Sequence, residues 1–298
     1  MSMILRNLLR TRHLSRYFSC SSTSKMLSTT LSTNEVSVEV LEEADSGVIV
    51  FGLNRPSARN ALGSSLTSSL MNAVEKIHLD QNARVVVLRS LVPGVFCAGA
   101  DLKERIKLSN HEVSVMVGRL SALATAIENI PIPTIAAIDG SAFGGGLEIA
   151  LACDMIVVSE NAKLGLVETK LAILPAAGGT QRLTRLINPA VAKELIYCAR
   201  IFNGSEAKDF GLANHSVKQN SSSDAAFQKA LDISRQIIVN GPLGVKMAKL
   251  AINKGLQTDI QTGCKIEQLC YAQVIPTKDR IEGLKAFKEN RAPNYKGE

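Results

Sequence analysis

Two glutamates, Glu148 and Glu168, stand twenty residues apart, and each ends a segment suited to tuning a carboxylate. Glu148 closes the run Ile138-Asp139-Gly140-Ser141-Ala142-Phe143-Gly144-Gly145-Gly146-Leu147-Glu148, which reads as a strand end, three glycines and the start of an amphipathic helix. Glycines there let backbone N–H groups approach a ligand, and at a helix N-terminus those groups are unpaired at the positive end of the dipole. An oxyanion or a phosphate fits such a turn, although the spacing matches neither GxGxxG nor the Walker pattern. The same glycines would also serve a plain tight turn, with Glu148 merely complementing the helix dipole. Glu168 follows Leu164-Gly165-Leu166-Val167, an apolar stretch that should desolvate a carboxylate and raise its pKa. A surface ion pair with Lys170 is the other reading. A second glycine turn, Phe96-Cys97-Ala98-Gly99-Ala100-Asp101, could add another N–H, giving two donors for a carbonyl that becomes an enolate. Gly99 could equally make an ordinary strand-to-helix corner. Two carboxylates near one such hole suit acid and base roles. Pro175-Ala176-Ala177-Gly178-Gly179-Thr180 is a further small-residue turn, suited to close packing.

These residues need elements to position them. Val36, Val38 and Val40 alternate with polar residues, and Gly47 to Leu53 is a second β-branched run, so a pair of strands opens the domain. Leu62, Leu66, Leu70, Val74 and Ile77 line one face of a helix over about 62–78. Arg84 to Arg89, with four apolar residues in a row, reads as a strand buried on both faces. A helix around Glu112 to Asn129, a strand Thr134 to Ile138, a helix Gly144 to Ala152 and a strand Met155 to Val158 continue an α/β core. From about Asp224 strand signals vanish. The breakers Gly241-Pro242 and Ile275-Pro276 then divide several helices whose apolar faces must cover the core or another subunit.

Composition narrows the class. The 298 residues are 46% hydrophobic and 20% charged, in the range of globular chains, and no apolar stretch reaches the roughly 20 residues of a membrane-spanning helix. The net charge of +7 is concentrated at the start: Arg6, Arg10, Arg12, Arg16 and Lys25 precede the first acid, Glu35, leaving +2 for the remainder. Residues 1–34 are acid-free, Ser-rich and able to form an apolar stripe, which predicts a mitochondrial transit peptide with cleavage near Arg16 to Ser19. The six cysteines form no CxxC pair and the four histidines are isolated, so free thiols and no metal site are expected.

The phrases FCAGADLKE (96–104), AIDGSAFGGGLEIALACD (137–154) and LGLVETKLAILPAAGGTQRL (164–183) resemble the enoyl-CoA hydratase/isomerase, or crotonase, family. The similarity runs from about residue 36 to the C-terminus. CYAQVIPTKDRIEGLKAFKENRAPNYKG at 270–297 is similar to the branch that hydrates methylglutaconyl-CoA and includes AU-specific RNA-binding members. The resemblance implies a crotonase-like α/β spiral of ββα units with a C-terminal helical trimerisation module, assembled as a homotrimer or a dimer of trimers. It divides the chain into a transit peptide at 1–34, a spiral core at 35–229 and an oligomerisation module at 230–298. The amides of Ala100 and Gly145 would hold the thioester oxygen of an acyl-CoA, with Glu148 as base and Glu168 as acid. Ala58, Arg59 and Ala61 resemble the adenine-side CoA loop, and Ala98, Asp101, Lys103 and Gly144 complete the expected substrate-binding set. Asn290 stands where lysine is frequent, leaving Lys288 as a nearby substitute for a 3′-phosphate contact. The two alanines of Pro175 to Gly179 replace glycines of close relatives, and their methyls would narrow the acyl pocket.

The implied reaction adds water to an α,β-unsaturated acyl-CoA in the mitochondrial matrix, with no cofactor beyond the CoA thioester. The substrate expected is 3-methylglutaconyl-CoA, giving 3-hydroxy-3-methylglutaryl-CoA in leucine breakdown; a short-chain hydratase of fatty-acid β-oxidation is the alternative. RNA binding is the rival from another class. RNA-binding relatives carry a lysine stripe on one helix, where this chain has Ser64, Ser68 and Asn72, so RNA binding is not expected as a main activity. A catalytically idle structural subunit is a third reading, disfavoured by the presence of both glutamates and both glycine turns.

Overall fold

The computed structural model describes residues 29–33 and 35–298; most of the predicted leader, with its proposed cleavage region and Cys20, lies outside the described residues. Among the described residues, ten strands form two sheets. β1 (Thr29–Thr33), β2 (Val36–Val40), β3 (Val48–Leu53), β4 (Val85–Ser90), β6 (Thr134–Ile138), β8 (Met155–Ser159) and β10 (His215–Val217) lie in the order β1-β2-β3-β4-β6-β8-β10. The first three are antiparallel and the rest, from β3 onward, parallel. A smaller parallel sheet contains β5 (Val95–Cys97), β7 (Ser141–Phe143) and β9 (Leu164–Gly165) in that order. Each strand of the large sheet from β4 to β8 is thus followed by one of the small sheet and then by helix, so the ββα unit recurs and the chain winds as a spiral. The small strands are two or three residues long, too short for a periodicity signal, and the sequence pattern shows five of the large-sheet strands, β2, β3, β4, β6 and β8, but not β1 or β10.

Alternation along the large strands sorts the core. Ile49, Phe51, Val86, Leu88, Ala136, Ile138, Ile156 and Val158 face α1 (Ser64–Ile77), α3 (Asn110–Glu128) and α4 (Gly145–Leu151). Val48, Val50, Val85, Val87, Ile135, Ala137 and Val157 face the other way. That second face is covered by α8 (Ala225–Ile238) through Ala226, Phe227, Ala230 and Leu231, which explains why Val85 to Leu88 is apolar throughout. The remaining helices are α2 (Leu102–Arg105), α5 (Gly179–Leu186), α6 (Pro189–Tyr197), α7 (Gly204–Asp209), α9 (Pro242–Gly255), α10 (Ile260–Val274) and α11 (Lys278–Glu289). A division of the chain at residue 229 falls inside α8. Pro242 and Thr277 open α9 and α11, the proline because its missing N–H is unneeded in a first turn, the threonine as an N-cap to the Arg280 amide. Ile252, Leu256, Ile260, Leu269 and Phe287 leave large apolar surface exposed on these last helices. On α1, Ser64, Ser68 and Asn72 are exposed.

Asp139, at the end of β6, reaches across to α8: its carboxylate accepts the Ala226 N–H at 2.8 Å and the Phe227 N–H at 3.1 Å. The cap supplied by α8's own Asp224 is missing, since that side chain makes no capping bond. Asp139→Ala is therefore expected to cost about 1–2 kcal/mol. Thermal unfolding would show a midpoint lower by a few degrees, while Asp139→Asn, which keeps an acceptor, stays nearer the parent.

Among the described residues no helix is long and apolar enough to cross a membrane. Cys97, Cys153, Cys198, Cys264 and Cys270 are free thiols. No group of three or more His, Cys, Asp or Glu among the described residues is placed to hold a metal ion.

Candidate active site

The two glycine turns and both glutamates converge on one cleft enclosing about 130 Å³. The turn after β5 and the start of α4 meet because nothing projects between them. A Cβ built on Gly146 would lie 2.6 Å from both the Cβ and the carbonyl oxygen of Cys97, so only glycine lets helix and strand touch. Beside this contact, a Cβ on Gly145 would lie 3.8 Å from the Ala100 nitrogen and 4.0 Å from Glu148 Oε2. Among the described residues neither the Ala100 nor the Gly145 N–H donates a hydrogen bond. Ala100 is fixed by its neighbours: the Leu62 N–H donates to the Gly99 carbonyl at 2.7 Å, and the Asp101 N–H to the Leu62 carbonyl at 3.4 Å. Two amides from separate loops are thereby left free at one point of the cleft wall.

Glu148 is 3% exposed, one turn into α4. Its Oε1 accepts the N–H of Ala177 at 2.8 Å and of Gly179 at 2.7 Å, the latter at the N-terminus of α5. The small-residue turn 175–180, which the sequence suggests for close packing and for narrowing the acyl pocket, is also a clamp for this carboxylate. Arg182 braces the clamp, donating to the Ala177 carbonyl at 2.9 Å and to Glu128. Burial pushes the Glu148 carboxyl above the ordinary range, against the pull of the Gly179 and Ala177 amides and of the Arg182 charge.

Glu168 opens a 3-10 turn after β9. Its Oε2 is buried with no hydrogen-bond partner. Its carboxyl is pushed up to about 7, by desolvation first and then by the charge of Glu148. No ion pair with Lys170 forms among the described residues. Gly144, at φ +49°, lies against this carboxylate: a Cβ there would be 2.9 Å from Glu168 Oε1. One carboxylate is stabilised as an anion by two donors and the other is left a place for a proton. That division is what acid and base roles require.

Ala98, Ala100, Gly144, Gly145, Glu148 and Glu168 line the cleft together. Ala58, Arg59, Ala61, Asp101 and Lys103 do not. The loop 58–61 is stitched to the oxyanion turn by Ala98 N–H to the Arg59 carbonyl at 3.1 Å and by buried Asn60, which donates to the Phe96 carbonyl at 3.0 Å. Arg59 and Lys103 are exposed, as a loop meeting a solvent-side nucleotide would need. Asp101 is taken up by Arg55 at 2.8 Å and by the Lys103 and Glu104 amides, capping α2. Asn290 ends α11 in the left-handed conformation, which asparagine tolerates far better than lysine, and Lys288 is exposed. Sequence reasoning missed Arg105, which also lines the cleft, because nothing in its spacing marks it.

Residues 43–298 match the family model described as enoyl-CoA hydratase/isomerase. The chain is 54% identical over 265 residues to the mitochondrial methylglutaconyl-CoA hydratase of Homo sapiens, covering 89% of this chain and 78% of that one. It is 49% identical to the mitochondrial enoyl-CoA hydratase domain-containing protein 2 of Homo sapiens, covering 89% and 90%. Among solved structures, an enoyl-CoA hydratase from Bacillus anthracis superposes with a TM-score of 0.84 at 45% identity, covering 89% of this chain and all of that one.

Proposed function

Because this chain belongs to the enoyl-CoA hydratase/isomerase family, we propose that Glu148 and Glu168 perform its hydration chemistry on 3-methylglutaconyl-CoA. The chain is an enoyl-CoA hydratase, a hydro-lyase. The observation that carries the assignment of residues is the meeting of two unlike carboxylates with two unpaired amides in one cleft. The Ala100 and Gly145 amides receive the thioester oxygen. Glu148, whose anion the clamp amides support against the cost of burial, takes a proton from water as the water oxygen bonds to the β-carbon. The π electrons move toward the thioester, and the resulting enolate oxygen is held by the two N–H groups. Glu168 then gives its proton to the α-carbon, completing 3-hydroxy-3-methylglutaryl-CoA.

The substrate reading rests on the likeness to the human methylglutaconyl-CoA hydratase. Steady-state hydration of 3-methylglutaconyl-CoA beside crotonyl-CoA tests it, with kcat/KM as the readout. A clear preference for the former is expected; preference for crotonyl-CoA would mean a short-chain hydratase instead. The mitochondrial names of the relatives and the basic, acid-free leader support a mitochondrial matrix location. The exposed apolar surface of α9 to α11 supports a homo-oligomer, a trimer or dimer of trimers, with the helices from Pro242 onward as the assembly module.

A pH profile follows from the protons. The active pair carries one proton, on Glu168 before hydration and on Glu148 after it, so the same protonation count serves both directions. With Glu168 raised to about 7, that proton is lost as pH rises through this value. Hydration kcat/KM is therefore expected to fall on the alkaline side of about pH 7. Dehydration must show the same limb, since the overall equilibrium takes up no proton. Opposite limbs in the two directions would exclude the shared-proton scheme.

A further inference from the structure

We propose that Arg105 is the residue that selects a substrate with a carboxylate at the far end of its acyl chain. The inference rests on the hydratase reading above and extends it from the reacting atoms to the distal end of the substrate. Arg105 ends α2 and is half-buried against the cleft. Among the described residues it is, apart from the two glutamates, the one charged residue in the lining, with apolar neighbours such as Met116, Val117, Leu120 and Ile173.

Its guanidinium makes no hydrogen bond and no ion pair among the described residues, and the acids nearest in sequence are committed elsewhere. Asp101 is held by Arg55 at 2.8 Å, and Glu104 accepts the Ser64 hydroxyl at 2.6 Å and the Ser64 N–H at 3.1 Å. A guanidinium left without an anion on an apolar wall does nothing for stability, because partial burial of an unpaired charge is unfavourable. It is complementary to a planar carboxylate, which it can bind through two parallel N–H donors. A dicarboxylyl thioester also brings a negative charge toward Glu148 and Glu168, and a cation in the same wall offsets the repulsion. A crotonyl group has only a methyl to offer there and leaves the charge unmet.

The test compares the parent, Arg105→Met, Arg105→Gln and Arg105→Lys. Each is assayed by kcat/KM on 3-methylglutaconyl-CoA and crotonyl-CoA, and by inhibition constants for glutaryl-CoA, butyryl-CoA and free CoA. In the two neutral variants the methylglutaconyl-to-crotonyl ratio is expected to fall about 10- to 100-fold. Glutaryl-CoA should weaken by a similar factor, well beyond butyryl-CoA. Lysine keeps the charge but loses the fork, and should recover part of the ratio. An equal loss on both substrates, or a weakening of free CoA, would put the guanidinium on the shared thioester or phosphates and overturn the inference. So would a ratio unchanged in both neutral variants while the parent hydrates 3-methylglutaconyl-CoA, an outcome that leaves the substrate reading standing. With a parent inactive on 3-methylglutaconyl-CoA whose glutaryl-CoA inhibition still depends on Arg105, the substrate reading fails and the carboxylate site holds.

Discussion

Glu148→Gln is expected to lower kcat for hydration about 10²- to 10⁴-fold, the usual worth of a positioned proton-transfer group. The substitution is chosen because glutamine keeps a carbonyl oxygen for the Ala177 and Gly179 amides, so the clamp that Glu148 occupies survives. Folding should therefore be retained, and a parental thermal midpoint is the control. Glu168→Gln falls in the same range for a different reason: its amide cannot supply the proton that the α-carbon needs. Because both groups serve one proton inventory, the double variant should lose little more than either single variant. Turnover within tenfold of the parent in either single variant would remove that residue from the chemistry.

Gly146→Ala is expected to cost about 10²- to 10³-fold in kcat, close to the loss of an oxyanion-hole donor, about 2.7–4 kcal/mol. The residue touches no substrate in the scheme above. Its effect comes from the added methyl, which would meet the Cys97 carbonyl at 2.6 Å, backbone that cannot swing aside. Relief requires α4 to move away from β5, separating the Gly145 amide from that of Ala100. Free CoA, which makes no use of the hole, should bind the variant far better relative to the parent than turnover suggests. Parental kcat in Gly146→Ala would show that the close approach of the two turns is not what sets the rate.

Most of the large sheet was legible because β2, β3, β4, β6 and β8 are largely apolar runs of five or six residues, rich in β-branched side chains, and Val85 to Leu88 even announced that both faces are covered. The small sheet was not, since the pairing of Phe143 with Gly165 or of Cys97 with Ala142 is set by the turns of the spiral and leaves no period in the sequence. Within the site, Glu148, Glu168 and the two glycine turns could be picked out by residue type. Why the glutamates differ could not, because the difference is made by the Ala177 and Gly179 amides on one carboxylate and by no donor on the buried oxygen of the other. Arg105 escaped for the same reason: a lysine- and arginine-rich segment looks solvated until a fold turns one of its members inward.

The unequal anchoring of the two carboxylates gives the enzyme a memory of its last turnover. Two amides favour the charge on Glu148 and none does so for the buried oxygen of Glu168, so the proton has a preferred resting place. Each hydration ends with it in the other one. Free enzyme therefore leaves the cycle as an isomer of the enzyme that entered, and exchange with bulk water must reset it. Product that rebinds before the reset meets a form that substrate does not use, so its inhibition should be noncompetitive. The hydrogen delivered to the α-carbon is likewise the one acquired during the previous reset. In a rapid transfer into heavy water, the first turnover should install the old isotope and later ones the new.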